Sequence, residues 1–171
     1  KDLTLANPLT VEVKGRIIGL DQDQQVFHVY AGTTKSTDKS TYARMNAGFT
    51  KYYALACDDV IIYDGRVGAA LGLLAKEFCK KNKIETLPSS LAFRWGPQNG
   101  KNPLNRNPSD DKYVFPKLPT EGEAWAEWNI KGNWILSSAL KRSDALWCSG
   151  PEGLRRVEAA LFVMGYSLPV N

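Results

Sequence analysis

Val60-Ile61-Ile62-Tyr63-Asp64-Gly65-Arg66-Val67 is the stretch on which the fold turns. Its first four residues are apolar but too few for a helix, and they read as a buried crossing. Asp64 then stands where a helix should open, because its carboxylate can accept the free amides of the first turn. Val67, Leu71, Leu74 and Phe78 continue at helical spacing, which predicts one apolar face. Gly68, Ala69, Ala70 and Gly72 lie inside this helix and favour close packing over phosphate cradling. Lys80, Lys81 and Lys83 suit the negative end of the helix dipole.

Working outward, a preceding helix is expected from Ser40 to Cys57, with Tyr42, Met45, Phe49, Tyr52 and Tyr53 on one face. Residues 9–30 look extended. Thr10 to Lys14 alternates and Val26 to Tyr30 is β-prone, which predicts a small N-terminal β-hairpin followed by a polar loop over 31–41. Towards the C-terminus, Thr120 and Glu123 form a capping-box pattern. Trp125, Trp128, Ile135 and Ala139 then share a face, with Gly132 read as a kink between two helices. Ser149-Gly150-Pro151-Glu152 opens a last helix with the stripe Leu154, Val157, Leu161 and Met164, and Gly165 closes it. Between these regions, residues 86–119 carry Pro88, Pro97, Pro103, Pro108, Pro116 and Pro119. That composition offers turn formers and few core anchors, so residues 98–113 are expected to be exposed. The sum is a mainly α fold: a single domain over 1–171 with five to seven helices.

The chain has 171 residues and is 43% hydrophobic, enough for a sizeable core. No run approaches the roughly 18 apolar residues of a membrane span, and Lys1 to Asn7 lack the apolar stretch of a signal peptide. The three cysteines, Cys57, Cys79 and Cys148, are widely spaced and the single histidine is His28, so no zinc or iron–sulfur site is expected. No nucleophile elbow or phosphate-binding glycine loop occurs either. Free thiols in a reducing compartment, a cytoplasmic location and no cofactor are the expectations. The net charge of +4 is compatible with nucleic-acid binding.

The layout around Tyr63-Asp64-Gly65-Arg66-Val67, over residues 40–82, resembles the core of the helix–hairpin–helix base-excision DNA glycosylase superfamily, especially its 8-oxoguanine branch. In that family an Asp opens a helix after a short apolar crossing, within a motif close to Val-Asp-x-His/Arg-Val/Ile. The resemblance implies DNA as partner, a role in DNA repair, and Asp64 as the essential carboxylate that stabilises positive charge on the deoxyribose or activates a nucleophile. Bifunctional members carry a Lys about eighteen residues earlier, where this chain has Asn46; Lys51 is the nearest alternative. Any enzyme would therefore be a monofunctional N-glycosylase. The Gly-x-Gly hairpin turn of the family has no counterpart in Ala43 to Gly48.

Each of these residues also has a plainer reading. Asp64 would be a helix cap, Arg66 a first-turn residue or a partner of Asp58 or Asp59, Lys51 a solvated lysine and Tyr63 a core aromatic. Arg94, Trp95, Lys101 and Arg106 belong to a basic segment. There the cations would meet phosphates and Trp95 would stack on a base, or else Trp95 anchors a surface loop. Two function classes follow: a DNA-interacting protein on a glycosylase-like core, catalytic or not, and a protein-interaction or structural module of a larger bacterial or mobile-element system.

Overall fold

The computed structural model describes residues 10–12, 16–20, 26–30, 45–57, 60–120 and 122–169. The fold is mainly α. Among the described residues there are four α-helices: α1 (Phe49–Ala56), α2 (Gly65–Lys81), α3 (Glu123–Lys141) and α4 (Gly153–Met164), with short 3-10 turns at Ser89–Leu91 and Leu146–Cys148. The expected hairpin is a three-stranded antiparallel sheet, β1 (Thr10–Glu12), β2 (Arg16–Leu20) and β3 (Val26–Tyr30). Thr10 stands opposite Ile18, and Ile18 opposite His28. Ser40, Tyr42, Asp58, Asp59 and the 31–41 loop lie outside the described residues. Among the described residues the count is four rather than five to seven, in part because α3 runs unbroken through Gly132. That glycine is not a kink: a Cβ there would lie 3.1 Å from the Tyr63 ring and 3.2 Å from Ile61 Cδ1.

The chain divides into two compact units, Lys1–Tyr63 with Pro119–Arg155, and Asp64–Leu118 with Arg156–Asn171. In the first, the crossing Val60 to Tyr63 is held by side chains instead of by a neighbouring strand. Ile61 N donates to Asn133 Oδ1 at 2.9 Å and Asn129 Nδ2 donates to Ile61 O at 3.1 Å. Tyr63 N donates to Thr50 Oγ1 at 2.8 Å, Trp125 Nε1 donates to Tyr63 O at 2.7 Å, and the Thr50 hydroxyl donates to Asn129 Oδ1 at 3.0 Å. Buried backbone polar groups must find partners, and Asn and Thr from α1 and α3 supply them here. Thr50, Asn129 and Asn133 are accordingly buried at 0%, 1% and 3% exposure.

This corrects the expected face of α3. Trp125 and Trp128 are buried, but Ile135 is half-buried and Ala139 exposed, while Asn129, Asn133 and Leu136 face inward. Apolar periodicity counts Asn as outward, so it misses a face that buries amides for hydrogen bonding. The capping box at Thr120 is also replaced: the N-cap is Gly122 at φ 102°, without a side-chain cap, and its N–H donates to Met45 O at 3.0 Å. On α1, Tyr52 is exposed rather than part of a core face.

In the second unit, α2 buries its small residues. Val67 and Leu71 are inside as expected, but Leu74 and Phe78 are exposed and Gly72, Ala75 and Cys79 are inside. The space is filled by the proline-rich segment, which is not short of anchors. Phe93, Trp95, Pro108, Tyr113 and Phe115 are all buried. A Cβ at Gly72 would meet Pro108 Cγ at 2.7 Å. Asp110 fixes the segment to α2: its Oδ1 accepts the amides of Lys112 and Tyr113 at 3.0 and 2.8 Å, and its Oδ2 pairs with Lys80 at 2.9 Å. The expectation of exposure over 98–113 therefore holds for residues 99–103, 107, 111 and 112 and fails for Pro108 and Tyr113.

Candidate functional site

The site is built on the first turn of α2. Asp64 is its N-cap, in extended conformation, and its Oδ1 accepts the N–H groups of Arg66 at 2.8 Å and Val67 at 3.1 Å. Gly65 allows Gly96 to approach: Gly96 N donates to Gly65 O at 3.2 Å, and a Cβ on Gly65 would lie 2.6 Å from Gly96 Cα. Only paired glycines fit two backbones this close. The Arg94-Trp95-Gly96 segment is thereby seated beside the start of α2.

The chain after α4 closes on the same turn. Gly165 is not a left-handed helix stop; it is needed because a Cβ there would fall 1.9 Å from the Arg66 carbonyl oxygen. With the backbones that close, the Arg66 guanidinium lies over the rings of Phe162 and Tyr166, at 4.5 and 5.2 Å from their centroids. Such cation–π contacts fix a guanidinium in place without neutralising it. Arg106 arrives from the proline-rich segment. Its Nε donates to Tyr166 O at 3.4 Å, while neighbouring Asn105 O accepts from Leu168 N at 2.7 Å. Burial, and then the charge of Arg66, push Arg106 below the usual arginine value, with Asp64 and Tyr166 opposing.

Three of the sequence-predicted residues are thus brought together: Asp64, Arg66 and Arg106. Among the described residues no ion pair joins Asp64 to either arginine, and no hydrogen-bond acceptor faces the Arg66 guanidinium. Both guanidinium groups are half-buried, and at Arg106 the charge of Arg66 is opposed by that of the Asp64 carboxylate, which makes no ion pair with either among the described residues.

The other candidates are placed differently. Trp95 is 8% exposed and its Nε1 donates to Phe115 O at 3.1 Å, so it is a core anchor and its ring is closed to a stacking base. Arg94 Nη1 donates to Lys117 O at 3.0 Å and holds the two arms of the segment where Trp95 bridges Lys117. Lys101 is exposed in the loop. Lys51 is exposed on α1, in the first unit, whereas Asp64 belongs to the second. Asn46, at the position of the lyase lysine, has a local role: its Oδ1 accepts the N–H groups of Gly48 and Phe49 at the start of α1, at 2.9 and 3.0 Å.

Sequence reasoning missed Tyr166, which no motif marks, and Lys76. Lys76 is 2% exposed on α2, and burial followed by the charge of Lys80 pushes its ammonium below the ordinary value. Among the described residues no group of three His, Cys, Asp or Glu could hold a metal ion, and no helix is long and apolar enough to cross a membrane. Comparison with known proteins finds no matching family model, no matching curated protein and no matching solved structure.

Proposed function

We propose that this is a DNA-interacting protein on a helical core like that of the base-excision glycosylases, which docks nucleic-acid phosphate at Arg66 and Arg106. The observation that carries the reading is the arginine pair. The charge of Arg66 disfavours that of Arg106, against a weaker favourable effect of the Asp64 carboxylate, and a phosphate accepts from planar guanidinium groups bidentately. Each arginine is pre-oriented, Arg66 by two aromatic rings and Arg106 by the Tyr166 carbonyl. Less side-chain entropy is then lost on binding. Lys101, exposed in the loop of the same unit, adds to the positive field.

The test is electrophoretic mobility or anisotropy with duplex DNA at low salt. Wild-type protein binds, and the double variant Arg66→Gln, Arg106→Gln binds at least tenfold more weakly. Absence of wild-type binding overturns the reading. Catalysis is a separate matter at Asp64. If it acts on the deoxyribose, Asp64→Asn abolishes base release from damaged duplexes while keeping the cap.

A second reading rests on a different surface. Leu146 and Trp147, at 87% and 57% exposure, present adjacent apolar side chains between α3 and α4. Exposed apolar area of this kind suits a protein-interaction module. Leu146→Ser with Trp147→Ser would then abolish association with a protein partner and leave DNA affinity unchanged.

A further inference from the structure

The aromatic rings around Arg66 have a consequence for which nucleic acid fits. Tyr166 keeps 49% of its surface in solvent although it lies under Arg66. Phe162, the other ring, is half-buried, so Tyr166 is the exposed aromatic of the cluster. Its ring lies under the Arg66 guanidinium and its backbone oxygen accepts from Arg106 Nε at 3.4 Å, so one residue meets both cations. A duplex offers phosphates to such a site but keeps its bases stacked and out of reach of a side ring. A single strand offers both groups at the spacing of one nucleotide, and stacking of bases on aromatic rings beside a basic groove is the usual way proteins hold single strands. Resting on the phosphate-docking reading above, we infer that Arg66, Arg106 and Tyr166 form one nucleotide subsite, which prefers single-stranded nucleic acid with an unstacked base laid on Tyr166.

Two features agree with this. The backbone of Tyr166 accepts from Arg106 and the neighbouring Gly165 packs on the Arg66 carbonyl, and Phe162 gives Arg66 a second ring, so the backbone path here does not depend on the Tyr166 side chain alone. The residues just before Tyr166 in the chain are apolar and open to solvent: Val163 and Met164 are exposed at 77% and 40%.

The experiment varies the ligand before the protein. Anisotropy titrations at low salt use three probes of about 12 nucleotides, within the span such surfaces cover: a thymidine oligomer, the same backbone with abasic residues, and a duplex of the same length. The expected result is binding of all three, with the thymidine strand about tenfold tighter than the abasic strand and tighter than the duplex. Tyr166→Leu removes the difference between thymidine and abasic strands, whereas Tyr166→Phe retains it. Equal affinity of wild-type protein for thymidine and abasic strands overturns the stacking inference and leaves phosphate docking standing. A difference that persists in Tyr166→Leu also overturns it, because the base then sits elsewhere. Failure of wild-type protein to bind any probe overturns both.

Discussion

The crossing Val60 to Tyr63 and the first turn of α2 adjoin in sequence, yet they treat polar atoms in opposite ways. In the crossing, the N–H and C=O groups of Ile61 and Tyr63 are matched with neutral side chains, and Thr50, Asn129 and Asn133 are buried to make those bonds. At the start of α2, the polar groups are charged, half-exposed and left without ion-pair partners among the described residues. A buried neutral network specifies one arrangement of the backbone and is costly to break. A half-exposed pair of like charges repels, a cost offset at Arg66 by its two cation–π contacts, and both charges stay open to an anion. The difference teaches where to look: stability in the amides, binding in the guanidinium groups.

The largest loss is expected in the buried amide network. Asn129→Ala removes the partners of Ile61 O and of the Thr50 hydroxyl, and should cost roughly 2–3 kcal/mol, since buried groups left unsatisfied carry their full desolvation penalty. Urea unfolding checks this through a lowered midpoint at unchanged slope; an unshifted midpoint would mean that water replaces the amide. Next in size is Gly165→Ala, expected to cost roughly 1–3 kcal/mol because the added methyl overlaps the Arg66 carbonyl and must displace backbone. The same variant should weaken DNA binding, as Arg66 loses its seat on Phe162 and Tyr166.

Smaller again is the cap. Asp64→Ala should lower stability by about 1 kcal/mol and Asp64→Asn by almost nothing. A further effect appears only in acid. Burial pushes the Asp110 carboxyl up, but the Lys80 hydrogen bond and the amides of Tyr113 and Lys112 outweigh it and hold it at about 2. A carboxyl held below its unfolded value stabilises the folded state above that value. The contribution is therefore present above about pH 4 and fades as pH falls through about 2. Lys80→Ala should raise the carboxyl towards 3.8, readable by NMR titration; a carboxyl that stays near 2 would assign the shift to the amides alone.

Much of the fold was legible because its signals are local. Asp64 before an apolar stripe announced α2, and the mainly α class followed from helical spacing. What escaped was non-local. Asn129 and Asn133 look like surface residues until the crossing they clasp is known. Tyr113 and Phe115 sit in a segment whose prolines and asparagines read as loop, and only the small face of α2 explains their burial. For the site, Asp64, Arg66 and Arg106 could be singled out from charge and position. Their convergence could not, since it depends on Gly165 admitting the chain after α4. Trp95 was legible as either anchor or stacking ring, and its bond to Phe115 O makes it the anchor; the exposed aromatic is Tyr166, whose sequence neighbourhood carries no motif.

The claim that phosphate is held by the arginine pair is tested most directly by the salt dependence of DNA affinity. Each phosphate contact contributes about 0.9 to the slope of log affinity against log salt on duplex DNA. Arg66→Gln with Arg106→Gln should flatten the wild-type slope by roughly 2. Identical slopes for the two proteins would contradict it, because they would show that neither guanidinium meets a phosphate.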